Sequence, residues 1–159
     1  MTQSGHSIFE TPLARNDFIS AVLLGIAYVL LIRVLVGITA TWGAIAESDL
    51  WQQSVAHAIA YGQFYHSIGV LLAALPVGLA IALRFRNGWF HPAILASIIG
   101  SLYMLFDQLR GIWYMSQLGV APGLDHLVSG AIDVAKVGLI LLVVGAILKR
   151  VLVASGERA

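Results

Sequence analysis

Residues 18–44 read FISAVLLGIAYVLLIRVLVGITATWGA, and Arg33 is the only charged residue in this run. A hydrocarbon core about 30 Å thick is crossed by roughly 20 apolar helical residues. The run is long enough to cross a membrane, and its single arginine stands close to its middle. The stretch therefore predicts a transmembrane helix that carries one charge deep in the bilayer.

Three further apolar runs follow, at about 55–83, 90–116 and 124–148, and the links between the four runs are short. Hydrophobic residues make up 59% of the chain and charged residues 11%, against roughly 25% charged residues in a typical soluble domain. Short links place sequential helices side by side in opposite directions. We therefore predict an all-α membrane protein, an up-down antiparallel bundle of four transmembrane helices forming one domain over residues 1–159.

The composition also excludes several classes of function. The formal net charge is +1, so the chain lacks the basic field that nucleic-acid binding needs, and we expect no nucleic-acid partner. There are no cysteines, which excludes disulfides, thiolate metal sites and cysteine nucleophiles. The lipid bilayer is the expected environment of most of the chain.

The basic residues outside the runs give an orientation. They all flank one side of the bundle: Arg15, Arg84, Arg86, Lys149, Arg150 and Arg158. The two opposite links carry Glu47, Asp49 and Asp125 and no lysine or arginine. Because lysine and arginine concentrate in cytoplasmic loops, we predict a plasma (inner) membrane protein with both termini in the cytoplasm.

Five charged residues fall inside the predicted helices, and each would cost at least about 2.5–3.5 kcal/mol at the helix centre if it faced lipid. Helical spacing places several of them on stripes with histidine or tyrosine. We therefore predict one outward-facing polar pocket for a ligand or an ion. Its residues are Arg33, His66, Asp107, Arg110, Asp133 and Lys136, with Tyr61, Tyr65, Tyr103 and Tyr114 in support.

A structural role for the charges stays open beside this functional one. In that interpretation Arg110 pairs with Asp133, and Arg33 or Lys136 pairs with Asp107, as buried ion pairs between helices. Buried pairs contribute little stability relative to an apolar core of the same shape, so a structural role alone explains five membrane charges poorly.

Transport of an ion, a proton or a small solute, or binding of a ligand, is the first functional hypothesis. Three cations stand against two carboxylates, which favours a small polar or anionic ligand. So small a protomer rarely encloses a whole pathway, so we expect a homo-oligomer. The second hypothesis is an accessory subunit whose polar face binds a membrane partner subunit.

Redox and enzymatic functions are the remaining alternatives. A haem b would need two facing histidines, for which His57 and His126 are the candidates. A quinone site could use His66, Asp107 and Tyr61 or Tyr65 around an apolar slot. We predict no resident cofactor. A divalent metal shell of His66, Asp107 and Asp133 is opposed by the neighbouring cations, and no catalytic motif is present. We therefore expect no metal site and no catalytic residues, and consider an enzyme the weakest hypothesis.

Overall fold

The computed structural model describes the backbone of residues 14–46, 55–85 and 88–156, and their side chains except those of 44–46 and 55–60. The chain forms four long helices: α1 (Arg15–Ala46), α2 (Val55–Arg84), α3 (Phe90–Gln117) and α4 (Leu124–Gly156). All four are long and apolar enough to cross a membrane. The prediction of an all-α bundle of four spans is confirmed, and the chain is a small integral membrane protein.

Large apolar side chains cover the outside of the bundle on every helix. Leu30, Phe64, Phe106 and Leu139 are each exposed by 60% or more. Soluble monomers rarely expose contiguous apolar patches of more than a few hundred Å². A surface of this kind is stable in lipid, where apolar side chains need no cover, and it is the outer surface expected of membrane spans.

The four helices form a ring in the order α1, α2, α4, α3. Helix α1 packs against α2 and α3, and α4 packs against the same two helices. Helices α2 and α3 meet only slightly across one diagonal of the ring, and the described parts of α1 and α4 stay apart across the other. The sequence predicts that helices consecutive in the chain run in opposite directions and lie side by side. Helices α2 and α3 are not side by side.

Contacts along the helices fix their directions. Asp17 lies beside Arg84, and Gly43 lies against Tyr65, so α1 and α2 are antiparallel. The same holds for α3 and α4, which meet at Gln108 with Gly130 and at Ser101 with Gly138. The bundle is thus two antiparallel hairpins, α1–α2 and α3–α4, and we call the surface between them the seam.

Across the seam the facing helices run parallel. Residues 25 and 28 of α1 lie against 99 and 100 of α3, and residues 63 and 78 of α2 lie against 129 and 144 of α4. The link between Arg84 and Phe90 can span roughly 20 Å. This length suffices for the diagonal of a bundle whose helices are about 8–10 Å apart. Short links therefore did not force α2 and α3 to be neighbours.

Charged residues alone do not end a helix in this bundle. Lys149 and Arg150 end the last apolar run, but α4 continues to Gly156, because residues 149–155 contain neither glycine nor proline. Helix α3 ends at Gln117, and Gly119, two residues further on, is in the left-handed region with φ +72°. Val120 N donates to Met115 O and Gly119 N to Ser116 O, the paired bonds that close a helix C-terminus.

The core is built mainly from alanine and valine side chains, with a buried tyrosine as its largest fully buried member. Tyr28 of α1 is fully buried, and its hydroxyl donates to the carbonyl of Val137 on α4 at 2.8 Å. Gly100 on α3 makes room for it, because a Cβ there would lie 2.8 Å from two carbons of the Tyr28 ring. Tyr28 thus connects the two helices that otherwise stay apart across the diagonal.

Adding a methyl group at Gly100 is expected to weaken the bundle. Gly100→Ala should lower the free energy of unfolding by about 1–3 kcal/mol, because the Tyr28 ring is held on its far side by the core and cannot move away. Unfolding in mixed micelles with increasing sodium dodecyl sulfate, followed by circular dichroism, measures the change. Gly111→Ala is the matched control, since nothing lies within 4 Å of its added Cβ. Equal losses for both variants would contradict the packing assigned to Gly100.

Removing only the Tyr28 hydroxyl tests the hydrogen bond itself. Tyr28→Phe keeps the ring and loses the bond to Val137, so the expected loss is about 0.6 kcal/mol, with an upper bound near 1.7, the range for hydrogen bonds between membrane helices. The same unfolding assay measures it. A variant as stable as the original protein would show that the bond adds nothing to the packing of the ring.

Candidate functional site

A polar cluster lies buried in the seam between α2 and α4. We define the α2–α4 cluster as Gln63, His66, Ser129, Asp133 and Lys136. Its centre is Asp133, whose Oδ1 lies 2.9 Å from Lys136 Nζ and 3.3 Å from His66 Nδ1. The three side chains are only 9%, 15% and 12% exposed, in that order. One carboxylate therefore lies between two basic groups in the apolar interior.

Gln63 ties the cluster together from α2. Its Nε2 donates to Ser129 Oγ at 2.6 Å and to Asp133 Oδ2 at 3.3 Å, and its Oε1 accepts from Lys136 Nζ at 2.7 Å. Gln63 was not among the residues expected in the pocket. Two signals were present: Gln63 is the only side-chain amide in its apolar run, and it precedes His66 by three positions, on the same helix face.

Some polar atoms of the α2–α4 cluster keep hydrogen-bonding capacity. Within the described residues, neither ring nitrogen of His66 nor Asp133 Oδ1 takes part in an aligned hydrogen bond. The contacts of Asp133 Oδ1 with His66 and Lys136 are ion-pair distances without hydrogen-bond angles. Most buried polar atoms in proteins are hydrogen-bonded, so this cluster has atoms able to accept a proton or to form hydrogen bonds with a solute.

A groove leads to the cluster from one end of the bundle. It has a volume of about 550 Å³ and is lined by Gln63, Phe64, Ser67, Asp125, Val128, Ser129, Ile132 and Lys136. Asp125 lies in the first turn of α4, so the groove follows this helix for about 16 Å from its start to Lys136. His66 and Asp133 lie behind the groove wall that Gln63, Ser129 and Lys136 form.

Beyond the cluster the bundle is closed by apolar side chains. From Val70 and Val137 onward, both helices of this seam contribute buried apolar residues toward the other end: Ala73, Ala74, Val77, Ile81, Leu141 and Val144. We call this the apolar plug. Among the described residues, the groove extends from the cluster toward the start of α4, and apolar side chains fill the seam toward the end that carries Arg84 and Lys149.

The remaining charged residues form a second site on the opposite side of the ring. Between α1 and α3, Arg110 Nη2 lies 2.8 Å from Asp107 Oδ1, with 66% and 41% of the side chains exposed. Arg33 borders the same cavity, which has a volume of about 310 Å³. The cavity is lined by Ile32, Arg33, Val36, Tyr103, Met104, Phe106, Asp107 and Arg110, and we call it the α1–α3 cavity.

The residues expected in one pocket are therefore divided between two sites. The α2–α4 cluster contains His66, Asp133 and Lys136, and the α1–α3 cavity contains the other three charged residues and Tyr103. The expected pairs between helices are also not formed. Each aspartate pairs instead with the cation three positions further along its own helix, Arg110 or Lys136, because side chains at this spacing lie about 5–6 Å apart.

The other expected residues are scattered. Tyr65 packs against Gly43 at the α1–α2 contact, while Tyr61 and Tyr114 are exposed, by 46% and 64%. His126 is exposed at the start of α4. The side chain of His57 lies outside the described residues, so the haem hypothesis stays untested.

The described residues also bear on the metal shell considered from the sequence. Among them, no group of three histidine, aspartate or glutamate residues is placed to hold a metal ion. The shell considered from sequence is not assembled, since Asp107 lies across the ring from His66 and Asp133.

Comparison with other proteins adds no family. No protein-family model matches the chain, and no curated protein and no solved structure is similar to it. Any function must therefore be inferred from the two polar sites themselves.

Removing the central carboxylate tests the balance of charge in the α2–α4 cluster. Asp133→Leu should lower the free energy of unfolding by about 3–5 kcal/mol, because Lys136 remains buried without its counter-ion. The double variant Asp133→Leu/Lys136→Met should recover most of this loss. Unfolding in mixed micelles measures both.

Asp107→Leu is the matched control, and it should cost less because that ion pair is about half exposed. If the double variant were as unstable as Asp133→Leu alone, the loss would come from Asp133 contacts other than the ion pair.

Proposed function

We propose that this protein takes up protons at the α2–α4 cluster and that this uptake serves a transport-related function. The observation that carries the proposal is the position of Asp133, buried between His66 and Lys136 at the inner end of a groove. Ionisable groups inside the membrane commonly mark proton or ion pathways, and neighbouring aspartate and histidine residues are typical members of proton relays.

The chemistry of the cluster follows from its charges. A proton that arrives at Asp133 removes the negative charge that holds Lys136 and His66. Since an unpaired charge in the membrane interior is unfavourable, Lys136 would then favour a position nearer the groove, where it borders the open space. Proton uptake is thereby linked to a movement of Lys136 and of its bond to Gln63, which connects α4 to α2.

The direction of access is also part of the proposal. Arg15, Arg84, Lys149 and Arg150 lie at one end of the described bundle, and basic ends face the cytoplasm. With both termini cytoplasmic in an inner (plasma) membrane, the groove opens to the exterior and the apolar plug faces inward. Passage across the membrane would then need a second conformation in which the plug opens, or a pathway completed by other copies in a homo-oligomer.

No specific observation among the described residues favours the accessory-subunit or the redox hypothesis. Both remain the alternative functions if the cluster handles no protons.

Proton entry into liposomes tests the proposal. Vesicles containing the purified protein and the dye pyranine receive an acid pulse outside, with valinomycin and potassium to remove the opposing potential. The protein should acidify the interior faster than protein-free vesicles. Asp133→Asn, which keeps the shape and loses the titratable group, should slow this at least tenfold.

Asp107→Asn is the control with the same chemical change on the opposite side of the ring, and it should retain the original rate. An unchanged rate for Asp133→Asn, or no protein-dependent acidification, would show that the cluster is not a proton site in this protein.

A further inference from the structure

The α1–α3 cavity carries an excess of positive charge. Arg110 is paired with Asp107, but no acidic side chain of the described residues lies within ion-pair distance of Arg33. The cavity thus holds two guanidinium groups and one carboxylate. Its excess cation is an arginine, whose planar fork of donors matches carboxylate and phosphate oxygens.

Arg33 lies deep in the membrane. It is the nineteenth of the 32 residues of α1, with more than three helical turns on either side, and its side chain is exposed where it borders the cavity. An arginine that faces lipid at this depth costs at least about 2.5–3.5 kcal/mol. A long side chain can reach toward the interface, but the charge still needs an anion or water at its end.

The shape of the cavity suits a molecule with a charged head and an apolar body. Gly25 lies against Ile99 and Tyr28 against Gly100, so the parallel register sets Arg33 roughly 5–7 Å deeper than Arg110. The wall beside the two arginines is apolar and is formed by Ile32, Val36, Met104 and Phe106. Phe106 is 68% exposed, so the cavity opens sideways toward the lipid.

We propose that the α1–α3 cavity binds an anionic amphiphile, with its phosphate or carboxylate oxygens between Arg33 and Arg110 and its alkyl chain along the apolar wall. The shared chemistry is an oxyanion, and the bilayer is the source that the sideways opening favours. The bound anion completes the charge balance of the cavity, since two guanidinium groups then face two negative groups.

This site is independent of the proposed proton uptake. The α1–α3 cavity and the α2–α4 cluster lie at opposite sides of the ring, and the buried core with Tyr28 and Val137 separates them. Substitution of Arg33 should therefore alter lipid binding without altering the rate of proton entry, and the two proposals can fail separately.

Native mass spectrometry of the protein in a non-ionic detergent tests the proposal with dioctanoyl phosphatidylglycerol as the probe. One molecule should bind, and Arg33→Gln should weaken this binding at least tenfold, as expected for the loss of hydrogen bonds to a charged group. Arg15→Gln removes an arginine from the exposed start of the same helix and should leave binding unchanged.

Two further ligands distinguish the source of the anion. Dioctanoyl phosphatidylcholine has the same chains but no net charge, and it should bind at least tenfold more weakly. Inorganic phosphate supplies the oxyanion without a chain, and it should not displace the lipid at equal concentration. Equal binding of phosphatidylcholine, or displacement by phosphate, would overturn the proposal of an anionic lipid site.

A measurement on the unsubstituted protein covers the case in which Arg33→Gln does not fold. Phosphatidylglycerol with a photoreactive diazirine in its chain should label peptides that contain Val36 or Phe106. Labelling confined to other helices would overturn the proposal. So would a dimer of the original protein that Arg33→Gln converts to monomer, because Arg33 would then face a second copy of the chain.

Discussion

The packing of the buried Tyr28 ring against Gly100, with its hydroxyl bonded to the carbonyl of Val137, is the contact that sets α1, α3 and α4 against one another. Two helices at opposite corners of a ring cannot touch through small side chains, and α1 and α4 are joined across the core by one phenol. The core around this ring is filled mainly by alanine and valine. Small residues allow close approach in membranes, where apolar burial does not drive helices together. A single large side chain then fixes the relative height of three helices.

Much of this fold follows from the sequence, for identifiable reasons. Runs such as 18–44 and 124–148 are longer than any core helix of a small soluble domain needs to be, so their number and type are predictable. The order of the helices around the ring was not predictable, because the link at 85–89 is long enough to reach either a neighbouring or a diagonal position. Which corner α3 occupies is decided by fits such as Gly100 against Tyr28, and periodicity does not reveal them.

The polar sites show a similar division. The presence of Asp107, Arg110, Asp133 and Lys136 inside the spans, and their shared helix faces, could be read from spacing. Their division between two sites could not be predicted, because it depends on the position of each helix in the ring and on its rotation about its own axis. Gln63 was not predicted, because an uncharged amide inside a span is a weaker signal than a charge. It nevertheless makes more hydrogen bonds than any ionisable group of the α2–α4 cluster.

Both polar sites and the Tyr28 bond lie in the seam, and this has a consequence for biogenesis. A chain that enters the membrane from its N-terminus brings in the α1–α2 hairpin first, with Arg33, Gln63 and His66 still lacking the opposite wall of their sites. The second hairpin supplies Asp107, Asp133 and the carbonyl that accepts from Tyr28. Docking of the two hairpins therefore gives Gln63, His66 and Tyr28 polar partners within the bilayer. Polar contacts, and not only shape, therefore favour the correct pairing of the two hairpins during assembly.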